Sequence, residues 1–229
     1  MLTAGAISGQ MFRSSQYEKI KAMRVNITAM VDTHGCDKLW AAGDRNYQIL
    51  IALLLSSQTK DEQTSIAVRN LQRCGINSAN TALKFNTDEI NDCIKNVGFH
   101  NKKSQYLLKL SKILVNDFGG KVPNNYIDLI SLPGIGPKMA LLTLECAFNK
   151  IEGIAVDLHV HRIANRLEWC KTKTAEATRS SLERAVDKRI WGGFNACLVG
   201  FGQVVCTAKR PNCQNCTLKD ECSFNRIKL

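Results

Sequence analysis

Leu132-Pro133-Gly134-Ile135-Gly136-Pro137-Lys138 is the stretch of this 229-residue chain that decides its fold. The two glycines stand between two prolines, which permits a tight turn whose backbone amides face outward. Pro133 disfavours a helical conformation at Leu132, and Pro137 suits the first turn of a new helix. The pattern therefore predicts two helices joined by a short hairpin. An ordinary corner between two helices explains the glycines equally well.

The sequence on either side of the hairpin is helical in pattern, and strand signals are scarce. Two apolar stripes recur at helical spacing: Leu107, Leu108, Ser111, Leu114 and Val115, and then Phe194, Leu198, Phe201 and Val205. Thr87 is predicted to cap a helix that ends near Val97-Gly98, and Asn124 or Asn125 to cap the helix before the hairpin. We therefore predict an all-α chain.

Lys138 stands at the start of the helix that follows the hairpin. The outward amides of the turn and the partial positive charge of a helix N-terminus together form a site for a phosphate. The helix dipole opposes a cation at this position, so we expect the amine to lose its proton more readily than a solvated lysine does. A neutral amine is a nucleophile. A simple phosphate contact is the other interpretation of this lysine.

Asp157 follows the apolar stretch Ile154-Ala155-Val156 and lies 19 residues after Lys138. A carboxylate at the mouth of a cleft could stabilise a cationic transition state or take part in proton transfer. Its structural alternative is the N-cap of a helix that begins near His159, and both roles are compatible. For His159 and His161 we predict structural hydrogen bonds.

Four cysteines near the end of the chain have the spacing C-x6-C-x2-C-x5-C: Cys206, Cys213, Cys216 and Cys222. Zinc usually takes two closely spaced pairs, and only the middle pair here is close. The wider outer spacing favours an iron-sulfur cluster. Lys209 and Arg210 lie within the loop, where they would offset thiolate charge and reach phosphates. The six other cysteines are interpreted as small core residues.

The charge of the chain favours a polyanionic partner. Lysine and arginine exceed aspartate and glutamate by 11, and phosphate neutralisation releases counterions that drive binding. The longest apolar run, Ile49 to Leu55, has seven residues, whereas about 20 are needed to span a bilayer. No secretory signal is evident. These observations predict a nucleic-acid partner and no membrane.

Taken in order, these motifs resemble those of the endonuclease III family, helix-hairpin-helix DNA glycosylases, and of its eukaryotic members in particular. The resemblance runs from about Tyr47 to Phe224. It rests on the cysteine spacing and on four segments: Leu54-Leu55-Ser56-Ser57-Gln58-Thr59-Lys60-Asp61, Val97-Gly98-Phe99, Leu132 to Ala140, and Val156 to Leu167. Several motifs in one order are far more specific than any single motif.

The fold that this resemblance implies has two helical domains that flank a DNA-binding cleft. Residues 44–155 would form a six-helix barrel that contains the helix-hairpin-helix at about 124–147. Residues 1–43 and 156–229 would form an iron-sulfur cluster domain, with a [4Fe-4S] cluster held by the four cysteines of the loop 206–222. Asp157 would face Lys138 across the groove.

The activity that the resemblance implies is excision of oxidised pyrimidines such as thymine glycol from double-stranded DNA, followed by cleavage at the abasic site. In such enzymes the lysine matching Lys138 attacks C1′, displaces the base and forms a Schiff base, and β-elimination then breaks the strand on the 3′ side. The residue matching Asp157 assists base departure and proton transfer. Gln58 would enter the space of the flipped nucleotide, and Phe99 would open the stack as a wedge. The alternative for Gln58 is a polar cap at the end of a buried helix, and the alternative for Phe99 is a core aromatic. The remaining DNA contacts implied are Gly134, Ile135, Gly136, Lys209 and Arg210.

We expect a monomer in the nucleus, with the mitochondrion as the second location. Leu158 replaces the family's usual threonine, so we expect altered hydrogen bonding around Asp157. An adenine-mismatch glycosylase is disfavoured by Lys138 and by the seven residues after Cys222, after which we expect no recognition domain. A non-catalytic iron-sulfur DNA-binding module is disfavoured because Lys138 and Asp157 are both present.

Overall fold

The computed structural model describes residues 12–226, apart from the side chain of Arg226, and its regular structure over that range is helical throughout. The helices are α1 (Ser14–Val25), α2 (Met30–His34), α3 (Arg45–Ser56), α4 (Asp61–Arg73), α5 (Ala79–Ala82), α6 (Thr87–Ile94), α7 (His100–Phe118), α8 (Tyr126–Ser131), α9 (Pro137–Phe148), α10 (Leu158–Arg166), α11 (Ala175–Ala185), α12 (Phe194–Val204) and α13 (Ser223–Arg226). The predicted all-α class is confirmed. None of these helices is long and apolar enough to cross a membrane.

Residues 30–155 pack into one compact unit, the central unit. Its innermost helix is α3, in which every residue from Tyr47 to Leu55 is buried and which contacts α4, α7 and α9. The predicted boundary at residue 44 differs from this division. Because α2 packs against α4, and the 3-10 turn Cys36–Lys38 packs against α3, residues 30–43 belong to the central unit.

Side-chain caps fix where the helices of the central unit begin. Asn125 accepts from an amide of the first turn of α8 and caps that helix, as predicted. At α6 the cap is Asn86 instead of Thr87. Its side chain accepts from the Glu89 amide, and the Glu89 carboxylate accepts in return from the Asn86 amide at 2.8 Å. This reciprocal capping box satisfies two amides at once, which a threonine one residue later does not do.

The remaining described residues, up to position 29 and from position 156 onward, form the second unit. Its core is aromatic: Phe12 meets Trp169 edge-on with ring centroids 4.9 Å apart, and Tyr17 stacks on Phe194 at 4.8 Å. The indole Nε1 of Trp169 donates to Oε1 of Gln16 at 2.7 Å, which satisfies both groups inside the core. Residues 12–17 are thereby packed against residues 169 and 194 of the same unit. Residues 1–11 and 227–229, which the predicted cluster domain included, lie outside the described residues.

Candidate active site

The two glycines of the hairpin between α8 and α9 have different structural tasks. Gly134 has a φ of +82°, and a Cβ there would lie 2.7 Å from Cδ2 of Tyr106 and 2.9 Å from Cδ1 of Leu54. Gly136 caps α9 in an extended conformation, and a Cβ there would meet no atom within 4 Å. Gly134 is therefore required by the turn, whereas Gly136 keeps the space in front of the helix open.

The amides of the hairpin are not equally available to a ligand. The Ile135 amide donates to the Leu132 carbonyl at 3.1 Å, and the Ile135 side chain is buried in the core. The amides of Gly134 and Gly136 have no acceptor among the described residues. Ile135 is therefore fixed in the turn, and its DNA contact stays a prediction. The amides of Gly134 and Gly136 remain available as donors for an anion.

Lys138 is the second residue of α9 and is half-buried. The body of α9 is fixed in the core by Ala140, Leu141 and Leu144, so the start of the helix reaches the surface as predicted. Burial raises the pKa of the Cys36 thiol to about 12, and the charge of Lys138 is the strongest influence that opposes this rise. The side chain of Lys138 thus lies close enough to Cys36 to act on its thiol.

Gln58 and Phe99 both adopt left-handed backbone conformations, with φ of +51° and +58°. Such values are uncommon outside glycine because the Cβ crowds the backbone. Both side chains are exposed, Phe99 to 64%. Phe99 is therefore not a core aromatic. Gln58 is also not the end cap of α3, because Ser57 occupies that position.

Sequence reasoning missed Lys103 of α7, which is only 4% exposed. Its Nζ donates to the carbonyls of Leu55 and Ser57, both at 2.7 Å, and to Oγ1 of Thr59 at 3.0 Å. Burial lowers the pKa of Lys103 to about 8. The signal for this role would have been a lysine one turn after Phe99, opposite the end of a buried helix that has unpaired carbonyls.

Asp157 caps α10, where its Oδ1 accepts from the Val160 amide at 2.8 Å. The residues Ile154 to Val156, which directly precede it, are buried. Leu158 is 76% exposed beside it. Lys138 lies in the central unit and Asp157 in the second unit.

The two histidines after Asp157 make structural hydrogen bonds, which confirms the prediction. Nδ1 of His161 lies 2.6 Å from Oγ1 of Thr178. Nδ1 of His159 lies 3.1 Å from Nη2 of Arg162, which also donates to the Cys206 carbonyl at 2.9 Å. The histidine pair therefore links α10 to α11 and to the start of the cysteine loop.

The four clustered cysteines line a single cavity in the second unit. Each is partly buried. Nη1 of Arg166 lies 3.3 Å from Sγ of Cys206 and donates to the carbonyl of Thr207, and Nη2 donates to that of Ala208. Among residues 12–226, no three histidine, cysteine, aspartate or glutamate side chains are placed to hold one metal ion. The thiols share a cavity without forming a single-ion site.

The side chains of Lys209 and Arg210 on this loop are exposed. The other cysteines do not behave uniformly as the predicted core residues. Cys170 is buried, but Cys74 is exposed and its Sγ lies 3.0 Å from that of Cys93. Cys74 ends α4 at the surface, so the core interpretation is wrong for that residue.

Comparison with known proteins gives matches along most of the chain. Residues 51–188 match the family described as HhH-GPD superfamily base excision DNA repair protein. An endonuclease III homologue of Schizosaccharomyces pombe is 43% identical over 213 residues, which cover 90% of this chain and 59% of that protein. An endonuclease III homologue of Encephalitozoon cuniculi is 44% identical over 221 residues, which cover 90% of this chain and 92% of that protein.

Among solved structures, a trapped endonuclease III-DNA covalent intermediate matches with a TM-score of 0.83 and 24% identity. The match covers 100% of this chain and 99% of that chain. The two proteins share a fold.

Proposed function

The chain belongs to the HhH-GPD superfamily of base excision DNA repair proteins and, within it, to the endonuclease III family, and from this we propose that it is a DNA glycosylase with abasic-site lyase activity. The observation that carries the proposal is the position of Lys138. The lysine is the second residue of α9 and directly follows the hairpin, in which the amides of Gly134 and Gly136 have no acceptor among the described residues and can donate to a phosphate. A nucleophile and an anchor for the DNA backbone thus occupy adjacent residues.

In the proposed reaction, Nζ of Lys138 attacks C1′ of the damaged nucleoside while the bond from C1′ to the base breaks. The sugar ring then opens, and the nitrogen and C1′ form a Schiff base. Loss of a proton from C2′ expels the 3′ phosphate by β-elimination, and water finally releases the lysine. The phosphate anchor at Gly134 and Gly136 fixes the strand, and orientation of this kind lowers the barrier to attack.

Asp157, Gln58 and Phe99 have distinct parts in this proposal. The Asp157 carboxylate stabilises the positive charge that develops on the sugar and takes part in the proton transfers that follow. Phe99 is exposed to 64% and apolar, which suits a wedge between base pairs. Gln58 is exposed on the neighbouring loop and fills the space that the extruded nucleotide leaves.

We also propose that the four cysteines hold a [4Fe-4S] cluster. Four thiols around one cavity, with only the middle pair closely spaced in the chain, suit a group whose irons lie apart better than one tetrahedral zinc ion. Arg166 offsets the thiolate charge at Cys206. The cluster, when bound, would cross-link the loop that carries Lys209 and Arg210. An absorption near about 400 nm with about four irons per chain would support this assignment, and stoichiometric zinc after anaerobic purification would contradict it.

Borohydride trapping tests the proposed activity directly. Duplex DNA with one thymine glycol or one abasic site is incubated with the protein and reduced, and a covalent adduct is measured by gel. The wild-type chain should form the adduct and Lys138→Ala should not. Lys109→Ala, which removes an exposed lysine of α7, is the matched control and should form it normally.

Three results would argue against the proposal. Lack of an adduct with confirmed DNA binding would leave a non-catalytic DNA-binding protein. Release of adenine from a mismatch without any adduct would favour the monofunctional adenine glycosylase. An adduct that survives in Lys138→Ala would assign the nucleophile elsewhere.

The proposal further includes a monomeric state and a nuclear location. Sedimentation would test the first, and imaging of the tagged protein would test the second.

A further inference from the structure

Two strained residues stand on separate loops of the central unit. Gln58 follows α3 and Phe99 precedes α7, and each has a positive φ without being glycine. Such a conformation is strained and persists only where the surrounding structure holds it. Neither side chain supplies that support by packing, because both are exposed. The restraint must come from the backbone around them.

Lys103 supplies the first part of the restraint. It lies one turn into α7, where its amide donates to the Phe99 carbonyl at 3.0 Å. Its ammonium donates to the carbonyls of Leu55 and Ser57 and to Thr59. An ammonium has three donors, so all of them are used, and they bracket Gln58 from both sides. A cation is also favoured at the carboxyl end of α3 by the helix dipole.

Thr59 and Gly98 complete the connection between the two loops. Oγ1 of Thr59 accepts from the Gly98 amide at 3.2 Å as well as from Lys103. It donates in turn to the Ser57 carbonyl at 3.2 Å, so its hydrogen-bonding capacity is used. A Cβ at Gly98 would lie 2.9 Å from the Gln58 carbonyl oxygen. The loops therefore touch backbone to backbone beside the two strained residues.

We propose that Lys103, together with Thr59 and Gly98, is a positioning group that sets Gln58 and Phe99 as one preformed wedge before DNA is bound. The proposal rests on the proposed function, in which these two side chains enter the base stack. Extruding a nucleotide from the duplex breaks the stacking of its base on the neighbouring bases. When the wedge is ordered before DNA binds, extrusion of the nucleotide carries no additional entropic cost for ordering the wedge.

The test compares double-stranded with single-stranded DNA that carries the same abasic site. A single strand has no base pair to open, so attack by Lys138 on it needs no wedge. Lys103→Met removes the three donors but keeps an unbranched side chain in the buried site. We expect it to slow adduct formation on the duplex by roughly tenfold to a hundredfold and to leave the rate on the single strand almost unchanged.

Lys102→Met is the matched control, because it removes an exposed charge from the adjacent position. It should leave the ratio of duplex to single-strand rates as in the wild type. Thr59→Val removes the shared hydroxyl, and Gly98→Ala forces the loops apart while the ammonium stays. Both should lower the same ratio, which keeps the test decisive if Lys103→Met fails to fold.

The outcomes separate this assignment from the proposed activity. If Lys103→Met slows adduct formation equally on both substrates, Lys103 only supports the fold. If none of the three variants slows adduct formation on the duplex, the wedge needs no such restraint. Either result overturns the positioning role while the lyase stands. Failure of the wild-type chain to form an adduct on either substrate would overturn the lyase and the positioning role together.

Discussion

Asp157 has two tasks at the residue scale, and one pair of substitutions separates them. Its carboxylate caps α10 and is also proposed to act on the sugar. Asn caps helices about as well as Asp, so Asp157→Asn should keep the free energy of unfolding near that of the wild type, whereas Asp157→Ala should lower it by about 1 kcal/mol. Adduct formation should fall strongly in both. Urea unfolding and borohydride trapping measure the two effects. Full activity in Asp157→Asn would show that Asp157 acts only as the cap of α10.

Substitutions at Gly134 and Gly136 should separate an effect on stability from an effect on DNA binding. Gly134→Ala introduces a Cβ into contact with Tyr106 and Leu54 at a positive φ, so it should lower the free energy of unfolding by about 1–3 kcal/mol. Gly136→Ala has room and an ordinary φ, so the free protein should be about as stable as the wild type. It should nevertheless weaken binding to an abasic duplex, because the added methyl keeps the phosphate from the amide.

Denaturant unfolding and fluorescence anisotropy on the same two proteins provide the measurements. Tight DNA binding by Gly136→Ala would show that no phosphate approaches that amide. Unchanged stability in Gly134→Ala would show that the turn relaxes without its glycine.

At the scale of elements, patterns local in sequence predicted best. The hairpin, the cap at Asn125 and the apolar stripe that includes Leu107 and Leu114 all depend on neighbours within a few residues, and all occur in the structure. The error at α6 has a local cause as well. Thr87 is a good capping type, but Asn86 pairs with Glu89 in a capping box, and the two bonds together outweigh one.

Contacts between distant segments were beyond the reach of these patterns. In the sequence, Lys103 is one of several lysines in a basic helix. It is a buried donor because the end of α3, more than 40 residues earlier in the chain, packs against it. Similarly, residues 30–43 carry no motif, and packing on α3 and α4 assigns them to the central unit. The candidate nucleophile and thiols could be proposed from the sequence because their local motifs are specific.

The junction of α3 and α7 should give a pH dependence of stability. Burial lowers the pKa of Lys103 to about 8, whereas an unfolded lysine titrates near about 10.4. Between these values the unfolded chain binds more protons, so this group makes the free energy of unfolding rise with pH. Below about pH 8 both states are protonated, and the contribution of the group is constant.

Wild type and Lys103→Met, unfolded in urea from about pH 7 to about pH 9.5, isolate this effect. The difference in the free energy of unfolding should move in favour of the wild type by about 1 kcal/mol per pH unit above pH 8. The buried thiols of Cys36 and Cys146, whose pKa values burial raises to about 12, act in the opposite direction but cancel in the difference. Parallel curves would contradict the lowered pKa.

At the scale of the whole molecule, the surplus of 11 positive charges must be divided between phosphate contacts and ordinary solvated lysines. Exposure alone does not divide it, because the pairs Lys209/Arg210 and Lys171/Lys173 are both exposed in the second unit. The difference is position. The first pair lies on the cysteine loop, whose backbone is held at Thr207 and Ala208 by Arg166. A fixed loop presents its charges to a phosphate at a smaller entropic cost.

The salt dependence of DNA binding tests this division of charge. Each phosphate contact contributes about 0.9 to the slope of log K against log salt concentration on duplex DNA. Replacing Lys209 and Arg210 by Ala should therefore reduce the magnitude of the slope by about 1.8. The double replacement of Lys171 and Lys173 by Ala changes the net charge equally and should leave the slope unchanged, since counterion release counts contacts and not net charge. Equal reductions in both proteins would show that the cysteine loop has no special part in holding DNA.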